Sequence, residues 1–372
     1  MIKSRQFEEF FYFLLVVTLT LTLVKKANAQ EIPGEDDMSV DSNQGPFIAA
    51  GRQFHGTVKD FSPFDAKVDA QKLRKAMKGI GTDENTVINI LTKRSEKQRQ
   101  EIIKAYKTLY RKNLQSSVKG DFSGITKEAL LALLYPRDTY LAVLLHQAVK
   151  GVGTDLGEIA EVICSLSPQE LEMVQRAYKQ EYKKELAKAI GSDTSGDVKT
   201  LLLDYIKGNR MGPRSPGEIE ADAKILQTKG FKNISGKGGV AEILSTRNQQ
   251  DLQKIFAKYQ ANTKKSVLSQ INSDLTLKVT DSGKTKKVLQ NLVQCINNPP
   301  EYYAKRIKAT LWGPGTKDHK LLRLIIARSE IDLAAIKEAY QRLYKKPLKK
   351  AVDSDTTRKF QKVLDGLIVG NV

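Results

Sequence analysis

Apolar residues recur along this chain with the period of an α-helix. Spacings of three and four residues place such side chains on one face of a helix, where they can pack against a neighbour. The strict alternation of a β-strand is scarce, so the pattern predicts an all-α protein. Three stripes follow one another near the start of the repetitive part: Val68, Leu73, Ala76 and Met77; Val87, Ile90 and Leu91; Ile102, Ile103, Tyr106 and Tyr110.

A glycine-rich loop interrupts the helical pattern three times. The copies are Met77–Thr82 (MKGIGT), Val149–Thr154 (VKGVGT) and Leu311–Thr316 (LWGPGT). An aspartate follows each loop threonine at the same distance, since 121−82, 193−154 and 355−316 all equal 39; these residues are Asp121, Asp193 and Asp355. Bare loop carbonyls together with a remote carboxylate are the oxygen ligands that a hard cation such as Ca²⁺ takes. The repetition therefore predicts calcium sites.

Helix-start signals repeat with the loops. Thirteen residues after each loop threonine stands a serine with a capping partner three residues on: Ser95 with Gln98, Ser167 with Glu170, and Ser329 with Asp332. Asn248 with Asp251 is a further start, and stepping back 13 residues reaches Ser235 in a loop that lacks both glycines. Adding 39 to 235 gives Asp274. The chain is thus predicted to contain four repeats of several helices each, the third degenerate.

The first thirty residues differ from the rest. Two positive charges in Met1–Arg5, the apolar run Phe10–Val24 and the sequence Ala27-Asn28-Ala29 follow the plan of a secretory signal peptide. The run is short for a membrane span, which needs about 20 residues, although an uncleaved anchor is the alternative. We predict a signal peptide at 1–29, a secreted chain that begins at Gln30, and a poorly ordered arm over 30–64.

Charge and motifs limit the functional classes. The 372 residues carry a net charge of +19, or 19−2 = +17 after removal of 1–29, which favours an anionic partner, either phospholipid or nucleic acid. His55, His146 and His319 are scattered and no nucleotide-binding, zinc-protease or serine-hydrolase motif occurs, so the chain is not predicted to be an enzyme. His146 lies in an apolar helical pattern and is interpreted as a half-buried structural residue.

Four other residues attract attention. Cys164 and Cys295 are the only cysteines; both lie in apolar helical contexts of different repeats, which favours buried free thiols over a disulfide. Asn233-Ile234-Ser235 is a glycosylation sequon inside the degenerate loop, and its use stays open. Trp312, the sole tryptophan, occupies a loop position held by lysine in the other copies. Two interpretations stay open for it: insertion into a membrane interface, or packing on its own repeat.

These residues resemble the annexin family, in its animal type. The resemblance rests on Asp69–Glu84 with Arg94-Ser95, on Asp193–Gly196 and on Arg328–Asp332, and it covers about Thr57 to Val372. It implies four repeats of five helices in a curved disc, with calcium loops on the convex face that bind acidic phospholipid. The repeats are placed at 65–136, 137–208, 209–299 (degenerate) and 300–372.

The resemblance also implies the calcium ligands. They are backbone carbonyls plus one carboxylate per site: Met77, Gly79, Gly81 and Asp121; Val149, Gly151, Gly153 and Asp193; Leu311, Gly313, Gly315 and Asp355. Lys78, Lys150 and Trp312 are expected to contact the membrane. The departures from the family are Asp121 where glutamate is usual, Leu166 where arginine forms a structural ion pair, Thr356-Thr357-Arg358 after the last acid, and the signal peptide. The third repeat is not expected to bind calcium in the family's way.

The predicted function is therefore calcium-dependent binding of a secreted protein to phosphatidylserine-like membranes. One carboxylate per Ca²⁺ leaves coordination positions that lipid phosphate can fill, because Ca²⁺ takes six to eight oxygens. Two alternatives stay open: a basic protein that binds glycosaminoglycan or nucleic acid without calcium, and an extracellular effector that binds a protein partner.

Overall fold

The computed structural model describes residues 55–79, 81–150, 153–275, 281–312, 317–356 and 358–371. The predicted signal peptide and most of the predicted arm lie outside these residues, as do Gly151, Gly313 and Gly315 of the candidate loops. In the described residues the regular structure is helical, apart from a single β-bridge between Met211 and Arg247. No helix within these ranges is both long enough and apolar enough to cross a membrane.

The described residues contain twenty helices in four sets of five, which confirms the all-α prediction. The first repeat contains α1 (Ala66–Ala76), α2 (Glu84–Thr92), α3 (Glu96–Tyr110), α4 (Leu114–Asp121) and α5 (Gly124–Leu133). The second contains α6 (Arg137–Lys150), α7 (Leu156–Ile163), α8 (Pro168–Tyr182), α9 (Leu186–Asp193) and α10 (Gly196–Ile206). The third contains α11 (Pro216–Lys229), α12 (Val240–Thr246), α13 (Gln249–Thr263), α14 (Val267–Asp274) and α15 (Asp281–Asn297). The fourth contains α16 (Pro299–Thr310), α17 (Asp318–Arg328), α18 (Leu333–Tyr344), α19 (Leu348–Asp353) and α20 (Arg358–Val369).

The repeat architecture positions the candidate sites. In every repeat the first and third helices pack against each other, as α1 does with α3 and α6 with α8. The candidate loop connects the first helix to the second. The fourth helix ends at the acid in three repeats, at Asp121, Asp193 and Asp274, and α19 ends two residues before Asp355. Each acid therefore stands at the end of a short helix.

Three of the four predicted helix starts are confirmed. The hydroxyls of Ser95 and Ser167 accept from the backbone N–H three residues on, within complete capping boxes, and the Asn248 side chain accepts from the Asp251 N–H at 2.8 Å. The prediction for Ser329 is wrong. Helix α18 begins at Leu333, because the carboxylate of Asp332 is held by the Arg328 guanidinium, with N–O distances of 2.7 and 2.6 Å.

A buried ion pair links the first helix of a repeat to the end of the second helix in repeats one and three. Arg94 Nε lies 2.6 Å from Asp69, and Arg247 Nε lies 2.7 Å from Asp222. The predicted loss of this pair in repeat two is confirmed: Leu166 replaces the arginine, and Leu141, which is also buried, stands where Asp69 stands in repeat one. Apolar packing substitutes for the ion pair there.

The end of the predicted arm is ordered, which corrects the expectation of a poorly ordered segment up to residue 64. Thr57 is buried; its N–H donates to the Ser329 carbonyl at 2.7 Å and its hydroxyl to the Leu367 carbonyl at 2.6 Å. The Phe61 ring lies 3.6 Å from the Arg94 guanidinium carbon. These contacts tie the segment to repeats one and four, so the chain is fixed before the first helix begins.

Cys164 and Cys295 form a disulfide, with 6.1 Å between their Cα atoms, so the prediction of free thiols is wrong. Cys164 caps the end of α7 and Cys295 lies near the end of α15, and both are buried. Helix α7 packs against α15, which brings together two residues 131 positions apart. Because the two cysteines belong to different repeats, no local sequence pattern indicated that they are in contact.

Candidate functional site

The first candidate loop and its acid come together. Gly79 and Gly81 are exposed and have φ values of +108° and +85°, which L side chains adopt only with strain. A Cβ at either position would meet nothing within 4 Å, so backbone conformation alone accounts for glycine here. The Thr82 hydroxyl donates to Asp121 Oδ2 at 3.2 Å. The carboxylate thus lies beside the loop, across 39 residues of sequence.

Three carbonyl oxygens of this loop accept no hydrogen bond from the described residues. They are the carbonyls of Met77, Gly79 and Gly81. Lys78, between them, is exposed. The donor set is three carbonyls and one carboxylate, which suits Ca²⁺. No group of three or more His, Cys, Asp or Glu side chains that could hold a metal ion lies in the described part of the chain.

The second loop repeats this geometry over the residues that can be described. Gly153 is exposed with a φ of +83°, Lys150 is exposed, and Asp193 is exposed at the end of α9. The Thr154 hydroxyl donates to the Asp193 backbone carbonyl at 3.4 Å instead of to the carboxylate. The Asp193 side chain is therefore not engaged by its loop threonine as Asp121 is.

The fourth loop closes with the same backbone hydrogen bond as the first two. The N–H of Lys317 donates to Thr310 at 3.1 Å, as Asp83 donates to Ala76 at 3.0 Å and Asp155 to Ala148 at 2.9 Å. Leu311 is buried, Asp355 is exposed, and Trp312 is 44% exposed. Gly313 and Gly315 lie outside the described residues, and their role as ligands stays a prediction.

In the third loop, hydrogen bonds within the protein occupy the oxygen atoms that would otherwise bind a metal. Asp274 Oδ2 accepts the Phe231 N–H at 2.9 Å, and its Oδ1 accepts from Gln270 at 2.8 Å. The Ile234 carbonyl, which matches that of Gly81, accepts the Ala241 N–H at 3.1 Å. The Lys229 ammonium donates to the Lys237 carbonyl at 2.6 Å. The residues at this loop do not fit calcium in the manner of the first loop. Asn233 of the sequon is exposed.

His146 has the structural surroundings that the sequence indicated. Its ring stacks on Tyr182 with 3.7 Å between centroids, and its Nδ1 lies 3.2 Å from the Tyr178 hydroxyl. Burial, followed by the positive charges of Lys150 and Lys184, lowers the pKa of His146. These surroundings favour the neutral form of the imidazole.

A buried ionic cluster between repeats two and four is absent from the sequence predictions. Glu161 of α7 accepts from Arg306 at 2.8 Å and from Arg323 at 3.0 Å, and Arg323 also pairs with Glu158. Burial raises the pKa of Glu158 to about 7, against the opposing effect of Arg323. Burial acts in the same direction on Glu161, yet Arg306 and Arg323 together lower its pKa. Two glutamates in the otherwise apolar sequence of α7 were the feature that could have indicated this cluster.

Comparisons with known proteins agree with this architecture. The sequence matches the Annexin family model four times, over residues 68–133, 140–204, 222–292 and 302–367. Annexin A5 of Gallus gallus is 36% identical over 316 residues, which cover 83% of this chain and 95% of that protein.

Two solved structures show the same fold. The structure of annexin III aligns with a TM-score of 0.79 and 33% identity, over 86% of this chain and 98% of that one. The structure of calcium-bound annexin (Sm)1 aligns with a TM-score of 0.77 and 30% identity, over 86% of this chain and 94% of that one. The fold and the repeated loops define a four-repeat helical protein of the annexin class. This chain belongs to the annexin family, which is known for calcium-dependent phospholipid binding.

Proposed function

We propose that this annexin binds acidic phospholipid membranes through Ca²⁺ held at its first, second and fourth loops. The observation that carries the proposal is the first loop, where two glycines have positive φ, the carbonyls of Met77, Gly79 and Gly81 accept no hydrogen bond from the described residues, and Thr82 holds the Asp121 carboxylate at 3.2 Å. The calcium-bound form of annexin (Sm)1 supports the same ion here. The third loop takes no part, because Asp274 is engaged by Phe231 and Gln270.

The charge balance explains why lipid and calcium bind together. Three carbonyls and one carboxylate supply fewer oxygens than Ca²⁺ takes and leave a net positive charge, so water completes the shell until an anionic ligand replaces it. A lipid phosphate fills those positions and becomes a ligand itself. By linkage, lipid then raises the affinity for calcium by the factor by which calcium raises the affinity for lipid.

Side chains around the loops add contacts with the bilayer. Lys78 and Lys150 are exposed beside the carbonyl ligands and each contributes about 1 kcal/mol at an anionic surface. Trp312, 44% exposed in the equivalent position of the fourth loop, suits the membrane interface, where tryptophan is favoured.

We further propose that the protein acts after secretion. The signal-like segment 1–29 motivates this, and the disulfide between Cys164 and Cys295 supports it, since such bonds persist in oxidising compartments. Millimolar extracellular calcium would keep weak sites loaded, so exposure of acidic lipid would control binding. Sequencing the exported protein should give Gln30 first, and peptide-N-glycosidase should remove a glycan from Asn233; residues before Gln30 would contradict the cleavage site.

Sedimentation with phosphatidylserine vesicles tests the function. The protein should pellet with vesicles in calcium at physiological salt and stay in the supernatant in EGTA. The basic polyanion-binding alternative predicts the reverse dependence: binding that falls steeply with salt and ignores the chelator. Equal pelleting in calcium and in EGTA would therefore reject the calcium proposal.

A further inference from the structure

Four basic residues adopt a backbone conformation that normally belongs to glycine. Arg111, Lys183, Lys264 and Lys345 have φ values of +53°, +53°, +57° and +53°, and they are the non-glycine residues with positive φ in the described part of the chain. Each is the residue directly after the third helix of its repeat, and each is exposed and followed by an exposed lysine. Glycine would fit this helix terminus without strain. A basic residue occupies this strained conformation in all four repeats, which points to a role for the charge.

In three repeats this basic pair belongs to a larger group. A tyrosine ends the third helix, and a side chain from the first helix lies on its ring: the cations of Arg74 on Tyr110 and Lys308 on Tyr344, both at 5.8 Å, and the imidazole of His146 on Tyr182 at 3.7 Å. We call each group a basic shelf. The shelves are Arg74, Tyr110, Arg111 and Lys112; His146, Tyr182, Lys183 and Lys184; and Lys308, Tyr344, Lys345 and Lys346.

The shelves occur in the three repeats that carry candidate calcium loops. Their first members stand eight residues before the loop threonine, since 82−74, 154−146 and 316−308 all equal 8. In the third repeat Gln227 and Thr263 take the places of the basic residue and the tyrosine, although Lys264 remains. The shelf is thus incomplete in the repeat whose loop does not fit calcium.

In repeats two and four the shelf lies close to the acid that belongs to the loop. The Lys184 ammonium donates to the Ser192 hydroxyl at 3.4 Å, and the Lys346 ammonium donates to Ser354 at 3.2 Å. These serines directly precede the calcium acids Asp193 and Asp355. In repeat two, loop and shelf share one environment, because Lys150 of the loop and Lys184 of the shelf both lower the pKa of His146, after burial.

The positive charge of the shelves is not neutralised within the described residues. No ion pair there involves Arg74, Arg111, Lys112, Lys308 or Lys345. The neighbouring acids have partners of their own: Glu301, near Tyr344, is held by Lys305 at 2.9 Å and Arg342 at 3.1 Å, and Glu185, beside Lys184, is held by Lys179 at 2.6 Å.

We propose that each basic shelf is a second headgroup site, which binds the phosphate monoester of a membrane lipid beside the calcium loop. The inference rests on the proposed function, because the loop brings the bilayer to the shelf. Calcium takes a phosphate oxygen, which every acidic phospholipid offers whether its phosphate is a diester or a monoester. The two adjacent cationic side chains that follow the tyrosine in each shelf donate charge-assisted hydrogen bonds, and these bind a dianionic phosphate better than a singly charged group. The shelf therefore selects lipids such as phosphatidic acid or phosphatidylinositol phosphates over phosphatidylserine.

Glycine substitution tests this without disrupting the fold. Arg111→Gly, Lys183→Gly and Lys345→Gly remove the charge and relieve the positive φ, so the melting temperature should hold or rise. Lys264→Gly is the matched control, with the same charge, the same backbone change and no shelf. Sedimentation in calcium compares vesicles containing phosphatidic acid or phosphatidylinositol 4-phosphate with phosphatidylserine vesicles of equal total charge.

The selectivity ratio for phosphate monoester over phosphatidylserine decides the outcome. Each shelf variant should lower the ratio about threefold and the triple variant about 30-fold, because an exposed charge-assisted contact changes affinity by about that factor. Lys264→Gly should lower binding to both vesicle types equally and leave the ratio unchanged. A triple variant with the wild-type ratio would overturn the proposal. Failure of the wild type to bind phosphatidylserine in calcium would instead reject the proposed function.

A soluble polyanion provides the remaining control. Heparin binding that is lost in the triple variant, with the lipid ratio unchanged, would assign the shelves to a polysaccharide and overturn the lipid site.

Discussion

Removal of the disulfide should lower the stability of the fold by a calculable amount. The bond between Cys164 and Cys295 links α7 to α15 across 131 residues. A cross-link over a loop of this length removes conformational entropy from the unfolded chain worth about 5 kcal/mol at 25 °C. With an unfolding entropy of about 2.1 cal/mol/K per residue over roughly 300 ordered residues, the corresponding fall in melting temperature is about 8 °C.

Differential scanning calorimetry with and without a reductant measures this effect. The wild type should lose about 8 °C on reduction, and the Cys164→Ala/Cys295→Ala variant should melt at the lower temperature under both conditions. A thiol titration of the unfolded, unreduced protein should find no free thiol. Two free thiols, or a wild type whose melting temperature ignores complete reduction, would refute the assignment of this bond and its energetic role.

Two buried electrostatic features give further tests. Burial raises the pKa of Glu158 to about 7, above its unfolded value of about 4.5. Between these two pH values the native state retains a proton that the unfolded state releases. The stability from this group is therefore present in full below about pH 4.5 and is lost as pH rises through 7. Urea midpoints between pH 5 and 8 should show that slope, and Glu158→Gln should remove it; an unchanged slope would contradict the assignment. Arg94→Leu should cost about 3–5 kcal/mol because it leaves the Asp69 carboxylate buried without its partner. The double variant Asp69→Leu/Arg94→Leu should recover most of that loss of stability in chemical denaturation, because repeat two has leucine at both positions. Equal losses of stability in the single and double variants would count against this explanation.

The sequence predicted those features that depend on local or periodic signals. Apolar stripes located the helices, and the constant spacing of 39 residues paired Asp121 with its loop before the bond from Thr82 was known. Even the degenerate loop was found in this way. Repetition supplied the information that a single copy lacks, because each copy places the same residue in the same structural position.

Features that depend on packing between repeats were not predictable in this way. The disulfide and the cluster of Glu158, Glu161, Arg306 and Arg323 join helices of different repeats, and no local pattern encodes those contacts. The misplaced start at Ser329 has a related cause. Tyr303 stands where repeat one has Asp69, so Arg328 takes Asp332 instead and lies 4.3 Å from the Tyr303 ring.

Whether the first, second and fourth loops bind calcium is tested most directly by titrating calcium against phosphatidylserine vesicles with matched carboxylate variants. Three variants each remove one negative charge from a proposed calcium loop: Asp121→Asn, Asp193→Asn and Asp355→Asn. Asp274→Asn removes the same charge at the same spacing from the loop that is closed by Phe231 and Gln270. Each of the first three variants should raise the calcium half-point for vesicle binding, and Asp274→Asn should leave it unchanged. Equal shifts in all four variants, or none in the first three, would contradict the proposed calcium sites.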